Sequence, residues 1–586
     1  MARTRGRWLR TLPVAVVVAL VTAVVLGPAL RPGYVLIGDQ VFVADQSLLP
    51  WMVGLGGGLP RAVPQDAVVA LLTGPIPGWI WEKVALVAAL LALGLGVARL
   101  LRPAGRRAEV VGAVIAVWSP FVGERLLLGH WSLLLAVAML PWALVHADAA
   151  RDGSRRAVLR WVLVVGVASL TVTGGLLVLV VSGPLLLMRG RLDRRARLLG
   201  AAVGLALQLP WLVPALLHPA TASTGGADVF ALRPEGPWGA LVTALGTGGA
   251  WNADAVPGSR ATLLAPLATA VLLALAWLGR RRTVEVLGRP VTTVLVATAL
   301  AGLLVAVVGA WSVTAGITRW WVESVPGGGL VRDGQKWLAP WLLLLAVAAA
   351  LGSLRAAGWA ARRTSDSVVG SMLLVATLAV PVLGMPDLVW GSTGRLASVA
   401  YPDDWATSRA LLASDPAPGD VVALPWSTFR RFDWNLGRTV LDPAPRAMPR
   451  TVVTSDSLVV RHGDDLVTVP GDDPRSAQID AALASGTDLA PVLRDSGIGW
   501  VLVERTGTAP ALPSGAVSVL QGPDLALYRL AAPGPAPALT GVVAVVIADV
   551  LAALALVAAA TALAATRPRR RRNHPRADAA AEATGW

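Results

Sequence analysis

Cysteine is absent from this 586-residue chain. That excludes disulfides and thiolate chemistry, so any domain outside the cytoplasm must hold by packing alone. Charged residues make up only 15% of the sequence, which overrides the three or four soluble domains that length alone would suggest. Lysine is almost missing: Lys83 and Lys336 stand alone among 51 basic residues. Acids are scarce inside the apolar runs, Asp549 being the clearest exception. Counting about 20 residues back from Arg567 puts even Asp549 near the outer edge of its span. An ion-coupled transporter normally carries ionisable groups near mid-membrane, and this chain offers few.

What is abundant is apolar sequence. Hydrophobic residues reach 55% and the mean hydropathy is +0.63. Apolar runs recur, and about 20 apolar helical residues cross a bilayer core. The net charge of +15 would suit nucleic acid, but its distribution does not. Arginines cluster at 3–10, 99–107, 151–160, 189–197, 280–289, 355–363 and 567–576, each against the end of an apolar run. That is the pattern of cytoplasmic loops, and it implies a bilayer and anionic lipid as partners rather than nucleic acid. The first run, near 11–30, lacks a small-residue cleavage site and reads as a retained span.

Placing every Arg-rich loop inside predicts a polytopic α-helical membrane protein with about twelve spans and both termini cytoplasmic. The spans fall near 11–30, 82–101, twice in 110–147, twice in 157–188, then 197–217, 261–279, 290–310, 337–353, 367–385 and 538–566. The halves of 157–188 are short and would suit a re-entrant pair. The expected organisation is a multi-span domain over 1–385, an extracytoplasmic α/β domain over 386–537, a final transmembrane helix over 538–566 and a basic, disordered cytoplasmic tail over 567–586. Within 386–537, strand-like runs at 420–424, 498–503, 516–520 and 525–530 alternate with helical stretches near 403–413, 475–485 and 488–495. Gly-Pro-Asp at 522–524 reads as a hairpin turn. No phosphate loop, metal spacing or nucleophile elbow appears in this segment.

An ionisable group at membrane depth is a functional candidate by default. Asp39 follows the first span closely, and a single carboxylate near an acceptor hydroxyl suits a general base; a capping or loop charge is the plain alternative. Asp45 is a second acid, pointing about 120° away if the segment is helical. In Pro120-Phe121-Val122-Gly123-Glu124-Arg125-Leu126-Leu127-Leu128-Gly129-His130-Trp131, about 13 apolar residues precede Glu124, some ~20 Å at the helical rise. That is short of a full crossing, so Glu124, Arg125 and His130 dip into the bundle, as an additional acid, an acceptor-binding group or a Glu–Arg pair tying two spans. Arg332 and Lys336, four residues apart, share a face if the helix starts early and would clamp a lipid phosphate, unless Asp333 simply pairs with Arg332. The loop 218–260, with His218, Asp228, Arg233, Glu235 and Asp254, reads as a solvated loop that could line an acceptor site.

The run from Ser119 to Trp131 and the run Arg332-Asp333-Gly334-Gln335-Lys336 are similar to segments of actinobacterial arabinofuranosyltransferase-like membrane proteins. Over about residues 10–350 the chain resembles the GT-C superfamily, membrane glycosyltransferases that use polyprenyl-phosphate-linked sugars. The resemblance implies a GT-C-like fold in the plasma (inner) membrane, Asp39 as the catalytic acid of the first external loop, and Arg332 and Lys336 on the donor phosphate. It implies inverting transfer to a cell-envelope glycan or lipid acceptor at the outer face. The first loop lacks the family's adjacent acidic pair, which speaks against a divalent metal; no other cofactor is expected. Two other classes fit such a chain, a lipid or glycan transporter and a non-catalytic envelope scaffold. Polar groups clustered at one face rather than along a path through the spans favour the enzyme.

Overall fold

In lipid every backbone amide must find its partner within the protein, so the apolar runs become helices. The computed structural model describes residues 2–218, 226–462, 465–507, 510–531 and 533–566; the tail expected over 567–586 lies outside them. The membrane helices are α1 (Ala2–Leu26), α2 (Gly78–Leu101), α3 (Arg106–Val117) continuing after a break into α4 (Pro120–Leu127), α5 (Trp131–Arg151), α6 (Arg155–Ala168) and α7 (Val172–Leu187). After them come α8 (Arg194–Ala206), α9 (Leu209–Leu217), α10 (Leu264–Leu287), α11 (Arg289–Val308), α12 (Ala339–Thr364) and α13 (Ser367–Gly384). A last apolar helix, Val542–Ala565, follows the sheet domain.

Among the described residues nine helices are long and apolar enough to cross a membrane. The pair α8 and α9, bent by 51°, makes a tenth. The expected count of about twelve is reached only with α6 and α7, which have 14 and 16 residues and so are short for full crossings. Two helices run further than expected. Helix α10 continues through Arg280–Arg282, where Arg280 lies 3.8 Å over the Trp277 ring and Arg282 pairs with Glu285, and α12 continues through Arg362 and Arg363. Arg362 and Arg363 fall in the last turn of α12, where cations suit the helix dipole and need no loop.

Where α10 crosses α12, both helices present glycine. A Cβ on Gly352 would lie 1.7 Å from the Leu275 carbonyl oxygen, and one on Gly279 would lie 2.0 Å from that of Ala348. Backbones this close are the usual glue between membrane helices, because lipid tails give no hydrophobic drive to associate.

Between α13 and the last helix the chain folds into an α/β unit. Its strands are β1 (Asp420–Leu424), β2 (Phe429–Arg431), β3 (Thr439–Leu441), β4 (Val452–Val453), β5 (Leu458–His462), β6 (Asp465–Val469), β7 (Ile498–Glu504), β8 (Val517–Gln521) and β9 (Leu525–Arg529). The main sheet has the order β4-β1-β7-β9-β8. Strand β1 runs parallel to β4 and β7, whereas β9 is antiparallel to both β7 and β8. All seven residues of β7 are buried, as expected of a central strand covered on both faces. Helices α14 (Asp403–Ser414), α15 (Pro474–Ala484) and α16 (Ala490–Asp495) accompany the sheet.

This unit does not stand apart from the bundle. Tyr34 forms an antiparallel bridge with Val399, and Gly38 a parallel one with Val440. Asp66 of the first long loop meets Arg446 at 2.8 Å, both buried. Arg319 of the 309–338 connection meets Asp228 of the 226–263 loop, and Val229 and Phe230 pack on Val460 and Val469, so these two segments, the loop over 31–77 and the sheet domain share one end of the bundle, the loop face. We expect Gly352→Val to cost about 1–3 kcal/mol through overpacking and to lower the thermal unfolding midpoint of detergent-purified protein by several degrees. An unchanged midpoint would mean that α10 and α12 are not this close.

Candidate functional site

Asp39 sits on a tight turn. Gln40 N–H donates to the Ile37 carbonyl at 3.0 Å, and Gly38, at φ +54°, takes the left-handed position that glycine adopts without steric cost. The segment after it is not helical but extended and irregular through Leu49, with the Gln46 N–H reaching Thr73 Oγ1 at 3.1 Å. Asp39 N–H donates to the Leu128 carbonyl at 2.9 Å. The chain at Gly129 passes so close that a Cβ there would lie 2.3 Å from both Gln40 N and the Ile37 oxygen. The first loop and the Leu128–His130 turn are thus locked together, and the lock brings His130 to Asp39.

His130 Nε2 lies 3.2 Å from Asp39 Oδ2, and its Nδ1 lies 2.9 Å from an Arg125 terminal nitrogen. A guanidinium only donates, so Nδ1 accepts, the ring proton is on Nε2, and His130 donates to Asp39. Arg125 has no exposed side-chain surface. Its two terminal nitrogens donate to Asp333 Oδ2 at 2.8 Å and Oδ1 at 2.9 Å, the paired geometry that suits a planar carboxylate. Lys336 Nζ is 3.5 Å from the same Asp333 carboxylate. One chain of contacts, Asp39–His130–Arg125–Asp333–Lys336, therefore joins the first loop, the α4–α5 turn and the segment before α12.

Each link sets the charge of the next. Burial is the largest influence on Asp39 and opposes its ionisation, but the hydrogen bond from His130 and the nearby charges of Lys336 and Arg446 hold its carboxyl below the usual range. Its side chain is nonetheless 52% exposed, and this half-open spot among buried partners is termed the recess. Burial first, and then the Arg125 charge, lower the pKa of His130 against the pull of Asp39, so the ring is neutral at pH 7. Burial also opposes ionisation of Asp333, but Arg125 and then Lys336 outweigh it and hold that carboxyl well below its ordinary value. The result is an ionised, half-open Asp39 with the Lys336 ammonium, 27% exposed, in the same field.

The other sequence candidates fall at varied distances from this centre. Arg332 stacks its guanidinium 4.4 Å over the Phe230 ring, and its charge acts on Lys336. Its partner is not the adjacent Asp333, which belongs to Arg125. Asp45 faces the sheet domain, where Arg409 meets it at 2.8 Å, and the chain of contacts does not include it. Glu124 does not pair with Arg125. One of its oxygens accepts from Ala250 N–H at 2.7 Å and from the Gln335 amide at 2.5 Å, so it buttresses the Arg332–Lys336 segment from below. In the 218–260 loop, Glu235 is buried against Arg260 at 2.8 Å, Asp228 meets Arg319 at 3.1 Å, and His218 contacts the Pro214 carbonyl at 3.1 Å. Arg233 and Asp254 are exposed.

Sequence reasoning missed Gln40 and Glu82. Glu82 is fully buried and accepts from Val35 N–H, the Gln40 amide and Lys83 Nζ at 2.7–3.1 Å. An acid next to one of the two lysines, at the start of an apolar span, was the available signal. An apolar cavity of about 210 Å³ lies among α7, α11 and the start of α12, with Val331 and Trp337 in its wall. Val331 and Trp337 are the chain neighbours of Arg332 and Lys336, but the two cations do not themselves line this cavity. Among the described residues no three His, Asp or Glu side chains gather as a metal site.

No protein-family model matches the chain, and no curated protein does. Solved structures do, two of them of one protein. The apo crystal structure of ArnT from Cupriavidus metallidurans overlaps with a TM-score of 0.42 at 14% identity, covering 91% of this chain and 100% of that one. ArnT from the same organism bound to undecaprenyl phosphate overlaps with a TM-score of 0.41 at 14% identity, covering 90% and 99%. Likeness at this level assigns neither a site nor a substrate, and the chemistry of the recess stands on its own contacts.

Removing one member of a buried ion pair strands the other. Arg125→Ala should cost about 3–5 kcal/mol of stability, and Arg125→Ala with Asp333→Ala should cost less than either change suggests. Thermal unfolding of the single and double variants in detergent checks this; strictly additive losses would contradict the pairing.

Proposed function

We propose that this chain is a GT-C-type membrane glycosyltransferase. It would move a sugar from a polyprenyl-phosphate donor to a cell-envelope glycan or lipid acceptor at the outer face of the plasma (inner) membrane, with both termini cytoplasmic. The observation that carries the reading is the recess itself: an ionised carboxylate, a neutral histidine and the Lys336 ammonium brought together from three distant parts of the chain. Asp39 is half open and Lys336 partly exposed, so both remain accessible to a substrate.

The chemistry follows from those groups. Asp39 accepts the proton of an acceptor hydroxyl, and the freed oxygen attacks C1 of the donor sugar. The C1–oxygen bond to phosphate breaks, inverting the configuration at C1, and the departing polyprenyl phosphate takes the bonding electrons. Arg332 and Lys336 neutralise that phosphate, and cations aimed at developing charge in a low-dielectric site lower the barrier. His130 holds Asp39 through its Nε2 proton, while Arg125 keeps His130 neutral and in that tautomer. The apolar cavity beside Val331 and Trp337 would receive the first isoprene units. Undecaprenyl phosphate, held by one of the similar ArnT structures, belongs to the same lipid class, but the reading rests on the recess. Asp45 and Glu124 act structurally in this scheme, and no step needs a metal or other cofactor.

Purified protein assayed with a panel of radiolabelled polyprenyl-phosphate sugars should transfer sugar to envelope lipid extract. Asp39→Asn should lower kcat by about 10²–10⁴-fold, the usual contribution of a general base, and Asp45→Asn should leave it within a few-fold. Full activity in Asp39→Asn would discard the mechanism and favour a scaffold. Arg332→Ala with Lys336→Ala should weaken binding of polyprenyl phosphate at least tenfold; unchanged affinity would remove the phosphate clamp. A general base works only when ionised, so activity falls as pH drops through its pKa. His130→Ala removes the hydrogen bond that lowers that pKa while leaving the carboxyl crowded, and the acidic limb of kcat/KM should move to higher pH. An unmoved limb would separate His130 from the base.

A further inference from the structure

The turn that presents Asp39 has no rigidity of its own. It is four residues long, lies in an irregular loop and includes a glycine at positive φ. Left to itself it would sample many conformations, yet a general base must stay within hydrogen-bond reach of its proton donor. The Leu128 carbonyl holds the Asp39 N–H, and something outside the loop must fix the residues on either side of Asp39 as well.

Two fully buried polar side chains from different parts of the chain do so. From α2, the Glu82 carboxylate accepts from the Val35 N–H at 3.1 and 2.9 Å and from the Gln40 side-chain amide at 2.8 Å, gripping the loop on both sides of Asp39. From the sheet domain, the Asn435 amide donates to the Leu36 carbonyl at 3.1 Å. Beside it, β3 exchanges backbone hydrogen bonds with the turn: Gly38 N–H to the Thr439 carbonyl at 3.0 Å and Leu441 N–H to the Gly38 carbonyl at 2.8 Å. Arg438, next to Thr439, ties Asn435 to the carbonyls of Arg395 and Ala397, so this clamp is anchored within the 386–537 segment.

We infer that Glu82 and Asn435 are positioning residues for Asp39, and that the sheet domain is a working part of the transfer site. This deepens the glycosyltransferase reading and rests on it. The physical content is that Asp39 keeps its contact with His130 only while both clamps hold. Neither residue touches substrate; each acts through the turn.

The test reads the Asp39–His130 contact without needing the substrate. Full-length protein in detergent is treated with diethyl pyrocarbonate, and carbethoxylation at His130 is followed by mass spectrometry. Asp39→Ala should speed the modification several-fold. Asn435→Ala and Glu82→Gln should do the same while the thermal midpoint stays within a few degrees of the parent. Asn435→Ala added to Asp39→Ala should bring no further increase. A wild-type rate in both Asn435→Ala and Glu82→Gln would overturn the inference, as would an additional increase in the double variant. The transfer assay separates the two claims. Full activity in Asp39→Asn defeats the enzymatic reading, whereas activity lost in Asp39→Asn but intact in Asn435→Ala defeats only the positioning role.

Discussion

A guanidinium with no exposed surface must spend its donors on the protein, and Arg125 does so on two partners that lie far from each other in the chain. Asp333, 208 residues on, takes two of its hydrogen bonds, and His130 takes a third. Buried ion pairs contribute little net stability over an apolar packing, yet breaking one is expensive. The pair therefore acts more as a register pin than as a stabilising contact. With Arg125 in place, the segment before α12 cannot slide relative to the α4–α5 turn, and the His130 ring has one available tautomer. The ring proton that His130 offers to Asp39 is then set by a residue that Asp39 never touches.

The same constraint accounts for the layout of the loop face. Glu124 sits one residue before Arg125, and its side chain bonds Ala250 and Gln335, so a single helical turn organises both the 226–263 loop and the cation segment. The sheet domain reaches the same place by another route. The hairpin of β5 and β6 packs Val460 and Val469 against Val229 and Phe230, and the Phe230 ring supports Arg332. The domain thus touches both ends of the recess, the turn at Asp39 and the guanidinium at Arg332.

The spans and the main strands were legible because each depends on local composition. Strand β1 matches the expected 420–424 run, and β7, β8 and β9 lie within a residue of their expected ends. Five strands escaped notice: β2, β3 and β4 have two or three residues, too few for a period to emerge, and the β5–β6 hairpin, five residues to a strand, was passed over although its length would have allowed it. At the site, rarity did what periodicity could not: charges in apolar surroundings marked Asp39, Arg125, His130, Arg332 and Lys336. Partners were not legible. Asp333 read naturally as the mate of its neighbour Arg332, because proximity in sequence says nothing about a carboxylate whose partner lies on another helix. Asn435 carried no signal at all, since a buried amide looks like any loop asparagine until its fold is known.

The most direct measurement is an experimental structure of the purified protein with polyprenyl phosphate bound. The phosphate is expected in the recess, in contact with Lys336 and Arg332 and facing Asp39, with the first isoprene units entering the cavity beside Trp337. A phosphate bound away from that recess, on another side of the bundle with Asp39 and Lys336 unengaged, would contradict the assignment.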